Sequence, residues 1–190
     1  MGPSDLISTD KFSLPIVAQE IFKDIKRKSE LNIVIWGPCF SKDPKIQKIY
    51  EKKKQIQKII GDLGHNIVIG EEDELVKKLQ KSGLNLYSAE YIEATNADYI
   101  VCFMASPGSI GEVHDFATKF THKMMICINA EYNEGYSAGG ILSIFEGKNG
   151  KLDWFKYPED IDECHLAGRV IKQIQRVRQA KEFEIIKTLK

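Results

Sequence analysis

The chain has 190 residues, of which 43% are hydrophobic, and its 27 basic side chains balance its 27 acidic ones. These values are typical of one globular domain with a buried core, and the balanced charge gives no sign of a nucleic-acid-binding or membrane-surface protein. No apolar run approaches the roughly 20 residues that span a bilayer. The four cysteines form no CxxC pair and the four histidines have no metal-ligand spacing, so we expect free thiols, no metal and a cytoplasmic location.

The first half of the chain alternates between helical and strand patterns. Residues 15–26 predict an amphipathic helix, and the continuous apolar run LNIVIW, residues 31–36, predicts a strand buried on both faces. Asp43 and Pro44 predict the cap and first position of a second helix, which ends near Gly64. We interpret the basic cluster EKKKQIQK in this helix as its solvated face. The remaining predicted elements of this half are a strand over 65–70, a short helix over 73–83 and a helix over 86–97.

The second half continues the alternation. Its predicted elements are a strand from Asp98 to Met104, a helix that contains Glu112, a strand from Lys123 to Asn129, an irregular glycine-rich segment over 130–150, a strand over 151–157 and a long helix over 162–190. Strands separated by helices imply parallel pairing through right-handed crossovers. We therefore predict a three-layer α/β/α sandwich with a five-stranded, mostly parallel Rossmann-like or flavodoxin-like sheet. In this scheme residues 31–175 form the α/β domain, 1–30 an N-terminal helical extension and 176–190 the end of the C-terminal helix.

A ligand site in such a sheet lies at the carboxyl ends of the strands, near a switch in strand order. Three loops follow the first three predicted strands: GPCFSKD at 37–43, GEEDE at 70–74 and ASPGSIGE at 105–112. The same rule excludes Asp98, because it begins the third strand and lies at the opposite edge of the sheet.

The stretch SPGSIGE at residues 106–112 has two interpretations. In the structural one, Ser109 is the N-cap of a helix and Glu112 is the N3 residue of a capping box. In the functional one, Gly108 allows close backbone approach, the N–H groups from Ser109 onward bind a phosphate, and Glu112 points into the cleft as a nucleophile or base. Gly111 favours the second interpretation, because a glycine inside the first turn costs roughly 1 kcal/mol relative to alanine.

Three motifs together resemble the nucleoside 2-deoxyribosyltransferases and their branch of 2′-deoxynucleoside 5′-monophosphate N-glycosidases. NIVIWGPCFS is similar to the opening strand and Gly-Pro-x-Phe turn of that superfamily. EYIEATNAD resembles its segment with an acid eight residues before an Asp, and SPGSIGEVHDFA its glutamate-bearing helix start. The resemblance runs from about Leu31 to Asn129 and continues more loosely to the fifth strand.

The resemblance implies cleavage of the N-glycosidic bond in (deoxy)nucleoside 5′-phosphates, with no cofactor. Glu112 matches the nucleophile, and Glu90 matches the acid at the departing base, where the family usually has Asp. The implied substrate-binding residues are Gly37, Pro38 and Phe40 at the base, and Ser106, Gly108 and Ser109 at the phosphate. Ser137 resembles a serine that reaches the phosphate from the neighbouring subunit, which implies a homodimer with shared active sites. Without the resemblance, Glu90 is equally an exposed helix residue, Phe40 a packing residue and Ser137 a turn residue.

Several alternatives remain open. The transferases carry an additional acid near the end of the third strand, and CFMAS offers none, which favours a hydrolase over transfer of the sugar to another base. Phosphoribohydrolases of the cytokinin-activating type have a Gly-Gly-x-Gly-Thr turn followed by Glu, and an arginine on the helix that follows. SPGSIGEVHDFA has neither the Gly-Gly pair nor the arginine. A nucleotide-binding sensor of the same fold would bind the phosphate with the same groups but would not convert the nucleotide. A scaffold role would depend on the C-terminal helix, whose apolar seam is too short and irregular for a coiled coil.

Overall fold

The computed structural model of the chain describes residues 16–68, 83, 85–132, 136–145 and 150–189. Within these residues helices and strands alternate, and the predicted helix over 73–83 lies outside them apart from Gly83. Short 3₁₀ turns cover Thr121–Lys123 and Ala130–Tyr132. The longer elements are α1 (Ile16–Lys28), β1 (Asn32–Trp36), α2 (Pro44–Asp62), β2 (Asn66–Val68), α3 (Leu86–Asn96), β3 (Tyr99–Met104), α4 (Pro107–Phe120), β4 (Met124–Asn129), α5 (Tyr136–Phe145), β5 (Lys151–Phe155), α6 (Glu159–Asp162) and α7 (His165–Thr188).

The described strands form one sheet of five, in the order β2-β1-β3-β4-β5, and every pairing is parallel. This confirms the predicted fold class. The strand order reverses between β1 and β3, whose registers place Trp36 opposite Cys102. The carboxyl ends of these two strands therefore border the switch point where ligands bind in sheets of this kind.

The core has two halves, one on each face of the sheet. Successive residues of a strand point to opposite faces. Ile33 and Ile35 accordingly belong to the cluster beneath α2 and α7, whereas Val34 and Trp36 belong to the cluster beneath α3 and α4. Both faces of β1, β3 and β4 are buried, which explains why these strands are continuous apolar runs in the sequence.

The start of α2 has the predicted N-cap and first helical residue. The Asp43 carboxylate accepts the N–H groups of Lys45 and Ile46, and Pro44 occupies the first position of the helix. Gly64 follows the helix end with a φ of +83°, the left-handed conformation that favours glycine after a helix.

Two predictions in the second half of the chain are wrong, one about a helix and one about a helix start. The segment over 130–150 was expected to be irregular, but it contains α5, which packs on α4 and buries Phe145. Burial of Phe145 in the core beneath α4 offsets the low helix propensity of the paired glycines, Gly139 and Gly140. The C-terminal helix begins at His165 and not at residue 162, because Cys164 has a φ of +60° and separates it from the short helix α6.

Asp98 lies at the amino edge of the sheet, as predicted. Its carboxylate accepts the N–H of Asn32 at 2.8 Å and forms an ion pair with Lys181 of α7 at 3.1 Å. These contacts fasten α7 to the start of β1. Asp98 is therefore a structural residue at the edge opposite the candidate site.

His65 is expected to make the stability of the fold depend on pH. It is buried at the same edge, and its Nδ1 accepts the N–H of Leu31 at 3.3 Å. Burial lowers the pKa of His65 below its usual 6.5, and the charge of Arg178 acts in the same direction. As the pH falls through about 6.5, the unfolded chain takes up a proton that the folded chain does not bind, so the free energy of unfolding should fall.

The change His65→Asn tests this prediction, since the asparagine Oδ1 can accept the same N–H. Urea unfolding between about pH 8 and pH 5 should show a smaller loss of stability in the variant than in the wild type. Substitution of the exposed His165 with asparagine is the control. Equal pH slopes for the wild type and His65→Asn would show that His65 does not carry the effect.

Candidate active site

The turn after β1 is pressed against β3 at the switch point. Gly37 has a φ of +148°, and a Cβ at this position would lie 2.9 Å from the Cβ of Phe103 and 3.2 Å from its carbonyl oxygen. Only glycine fits both the conformation and the space. The turn continues with Pro38, which is buried, and Phe40, whose side chain is 72% exposed at the carboxyl edge.

The helix that carries Glu112 starts earlier than predicted. Its N-cap is Ser106, Pro107 is its first residue and Ser109 is the N3 residue. The predicted capping box of Ser109 and Glu112 is therefore wrong. Ser106 and Ser109 form the box instead, because the Ser109 hydroxyl accepts the N–H of Ser106 at 3.0 Å, the contact expected from the N3 side chain.

The cap uses most of the polar groups at the start of α4. Ser109 is buried and its hydroxyl also accepts the N–H of Ala105, while the hydroxyl of Ser106 accepts the N–H of Ser109 at 3.3 Å. Pro107 has no N–H. The N–H of Gly108 is then the donor of the first turn that can face a ligand, at the positive end of the helix dipole.

Glu112 lies in the second turn of α4, as the sixth helical residue. It is 9% exposed, and the adjacent Val113 and Phe116 are fully buried over the sheet. Glu90 is 8% exposed on α3, which packs beside α4 through Tyr87 and Phe116 with ring centroids 5.1 Å apart. The structure thus buries both predicted carboxylates on neighbouring helices over the same face of the sheet. Buried carboxylates are rare in proteins unless they have a role or a partner.

Ser137 lies in the first turn of α5, a helix that packs on α4. It is therefore not in an irregular turn. Of the predicted site residues, Gly37, Pro38 and Phe40 follow β1, and Ser106, Gly108 and Ser109 follow β3. The topology brings these two groups to the same edge of the sheet.

Sequence reasoning missed Lys53, which was assigned to a solvated cluster. Lys53 is 2% exposed, and its Nζ donates to the carbonyl of Gly37 at 3.2 Å. The signal was present in its spacing, because Ile49, Lys53, Ile56 and Ile60 recur at helical intervals on one face. Lys53 fastens the Gly37 turn to α2.

Two further buried polar groups, on β1 and α3, were also not predicted. Trp36 is fully buried at the end of β1, 5.1 Å from the ring of Phe116, and its Nε1 has no hydrogen-bond partner within the described residues. Glu93, one turn after Glu90 on α3, has a buried Oε2 without such a partner, and burial raises the pKa of its carboxyl. No periodicity distinguishes these side chains from ordinary core and surface residues.

Gly111 offers a test of the observed helix start. A Cβ at this position would meet no atom within 4 Å, and the residue is helical. Gly111→Ala should therefore raise the free energy of unfolding by roughly 0.5–1 kcal/mol, since alanine has the higher helix propensity. Chemical denaturation measures the change. A decrease in stability would mean that position 111 is not an unstrained helical position.

Neither a metal cluster nor a membrane-spanning helix occurs in the part of the chain that the structure describes. No three His, Cys, Asp or Glu side chains there are grouped to hold a metal ion, and no helix there has the length and apolar character to cross a bilayer. In sequence comparisons, the chain matches no protein-family model and no curated protein. A functional proposal therefore depends on the site itself and on the resemblance of its motifs.

Proposed function

We propose that the protein is an N-glycosidase that releases the free base from (deoxy)nucleoside 5′-phosphates. The observation that carries the proposal is the buried Glu112 one turn beyond the N-terminus of α4, at the carboxyl edge beside the switch point. Glu112 lies four positions after Gly108, a rise of about 6 Å along the helix. A phosphate at the helix end and an anomeric carbon at Glu112 are then held apart, so two negative groups do not meet.

The proposed reaction has two steps. Glu112 attacks C1′ of the sugar, and the bond from C1′ to the base nitrogen breaks through an oxocarbenium-like state. The base leaves with the bonding electrons and takes a proton from Glu90, which acts as the general acid. Water then attacks C1′ of the glycosyl ester and gives a proton to the Glu90 carboxylate, which restores the general acid. The bond from C1′ to Glu112 breaks, so the sugar phosphate is released and the Glu112 carboxylate is regenerated.

The turn after β1 supplies the proposed base pocket. The exposed ring of Phe40 offers an apolar face on which a base can stack. Gly37 and Pro38 fix the path of this turn. Lys53 of α2 stabilises it by donating a hydrogen bond to the Gly37 carbonyl. As part of the same proposal, Ser106, Gly108 and Ser109 form the phosphate end of the site, and Ser137 completes a shared site in a homodimer.

The test is a chromatographic assay for free base. Purified protein is incubated with nucleosides, deoxynucleotides and ribonucleotides including NAD, each with and without a second base as acceptor. Base release without an acceptor from a phosphorylated substrate is the expected result. Exchange that requires the acceptor would identify a transferase, and tight binding without turnover would identify a nucleotide sensor. Release from no member of the panel would contradict the proposal.

A further inference from the structure

An exposed aromatic side chain, Tyr87, lies at the start of α3. It is the second residue of that helix and is 46% exposed. Its ring is stacked on the ring of Phe116, with the centroids 5.1 Å apart and the planes inclined by 25°. Phe116 is fully buried and also lies 5.1 Å from the ring of Trp36 at the end of β1. Tyr87 is therefore supported by a ring of the core, while much of its own surface faces solvent.

Two ring contacts fix the register between α3 and α4. Tyr87 contacts Phe116, and Tyr91, one turn later on α3, lies 5.6 Å from Phe120, one turn later on α4. Both helices run from the carboxyl edge of the sheet to the amino edge, because α3 leads into β3 and α4 leads into β4. Positions along α4 can therefore be matched to positions along α3.

This register places Tyr87 between the two proposed catalytic carboxylates. Glu112 precedes Phe116 by four positions, a rise of about 6 Å towards the carboxyl edge. Glu90 follows Tyr87 by three positions, about 4.5 Å towards the amino edge. Residues three or four positions apart share a face of a helix. Each carboxylate therefore lies on the side of its helix that carries one of the two stacked rings.

The same spacing orders the parts of a bound nucleotide along α4. This inference rests on the proposed function, which places the phosphate at Gly108 and C1′ of the sugar at Glu112. One further turn of α4, another rise of about 6 Å, reaches Phe116, against which the Tyr87 ring lies. The base is attached at the end of the sugar away from the 5′-phosphate. It therefore reaches the level of Tyr87, beside the turn of α3 that carries Glu90.

We propose that the base of the substrate stacks on Tyr87, so that the base, Tyr87 and Phe116 form one continuous stack. Because Phe116 already holds the tyrosine ring, little side-chain freedom is lost when the base binds. Stacking uses the π face that every base has, so purines and pyrimidines should both bind, and the larger purines more tightly. In this arrangement Phe40 is the second aromatic side chain of the base pocket.

The test is calorimetric binding of the four 2′-deoxynucleoside 5′-monophosphates, with 2-deoxyribose 5-phosphate as the matched ligand without a base. Tyr87→Ala should weaken binding of the nucleotides by roughly 5- to 100-fold, the effect of losing one stacking ring, and leave binding of the sugar phosphate unchanged. Tyr87→Phe should bind the nucleotides as the wild type does, because the ring is retained. Tyr91→Ala is the control, because it removes a tyrosine ring 6.5 Å from that of Phe116 but one turn further from Glu112.

These binding measurements separate failure of this inference from failure of the proposed function. Thermal unfolding first shows that each variant is folded, and Tyr87→Leu replaces Tyr87→Ala if the alanine variant is not. Weaker nucleotide binding by Tyr87→Ala, with Tyr91→Ala unaffected, supports the inference even if no base is released. Equal losses in the two alanine variants, an equal loss for the sugar phosphate, a comparable loss in Tyr87→Phe, or no nucleotide bound by the wild type would overturn it.

Discussion

Replacing Glu112 with glutamine is expected to lower kcat for base release by at least about 10³-fold, because the amide cannot act as the nucleophile. The two side chains have nearly the same shape, and the position is buried. Binding of the nucleotide should therefore change little. Chromatography of the released base gives kcat, and calorimetry gives the dissociation constant for the same variant.

The control for this prediction is Asp115→Asn, an exposed acid one turn further along α4. That variant removes the same charge from the same helix and should retain the activity of the wild type. A Glu112→Gln variant with undiminished turnover would show that Glu112 is only a buried helix residue. A variant that loses binding together with turnover would point to a role in holding the substrate.

Gly37→Ala is expected to lower the free energy of unfolding by roughly 2–4 kcal/mol, through a strained φ and a clash with the backbone of Phe103. The Cβ would be 2.9 Å from the Phe103 Cβ and 3.2 Å from its carbonyl oxygen, neither of which can move without displacing β3. Because this turn shapes the proposed base pocket, activity should fall with stability. Urea denaturation measures the first effect, and base release measured well below the unfolding temperature measures the second.

Gly64→Ala separates the effect of the strained φ from the effect of the clash, because only the first is present at Gly64. Gly64 also has a positive φ, +83°, but a Cβ there would meet no atom within 4 Å. Its replacement should cost only about 1–2 kcal/mol and leave activity intact. Equal costs at the two positions would mean that the contact with Phe103 contributes nothing.

The sequence predicted the fold because the buried strands are continuous apolar runs and the helices between them are amphipathic. The Asp43-Pro44 start of α2 and the position of Asp98 followed from local rules of capping and strand polarity, and the structure confirms both. Each depends on a few adjacent residues. Features of this kind can be inferred without knowing what packs against them.

The start of α4 was misplaced because two overlapping capping patterns share Ser109. Spacing alone cannot choose between Ser109 with Glu112 and Ser106 with Ser109, but Pro107 at the first helical position and the hydroxyl contacts favour the latter. The corrected start moves Glu112 one turn away from the phosphate end of the proposed site. That separation makes the proposed chemistry electrostatically reasonable.

Long-range contacts were beyond prediction from one sequence. Lys45, at the start of α2, and Glu131, after β4, form an ion pair although they are 86 positions apart. Only the strand order brings their loops to one edge of the sheet. The unpartnered indole nitrogen of Trp36 likewise depends on the packing of α4 over β1. Contacts of this kind can be identified only once the three-dimensional structure is known.

The most direct test of the central claim is the mass of the protein during turnover. Wild-type protein mixed with an excess of the substrate found in the panel is quenched with acid within the first turnovers, and its intact mass is measured. The proposal predicts an added sugar phosphate on the peptide that contains Glu112, and no such adduct in Glu112→Gln. Base release with an adduct on another residue, or with none on the wild type at any quench time, would contradict Glu112 as the nucleophile.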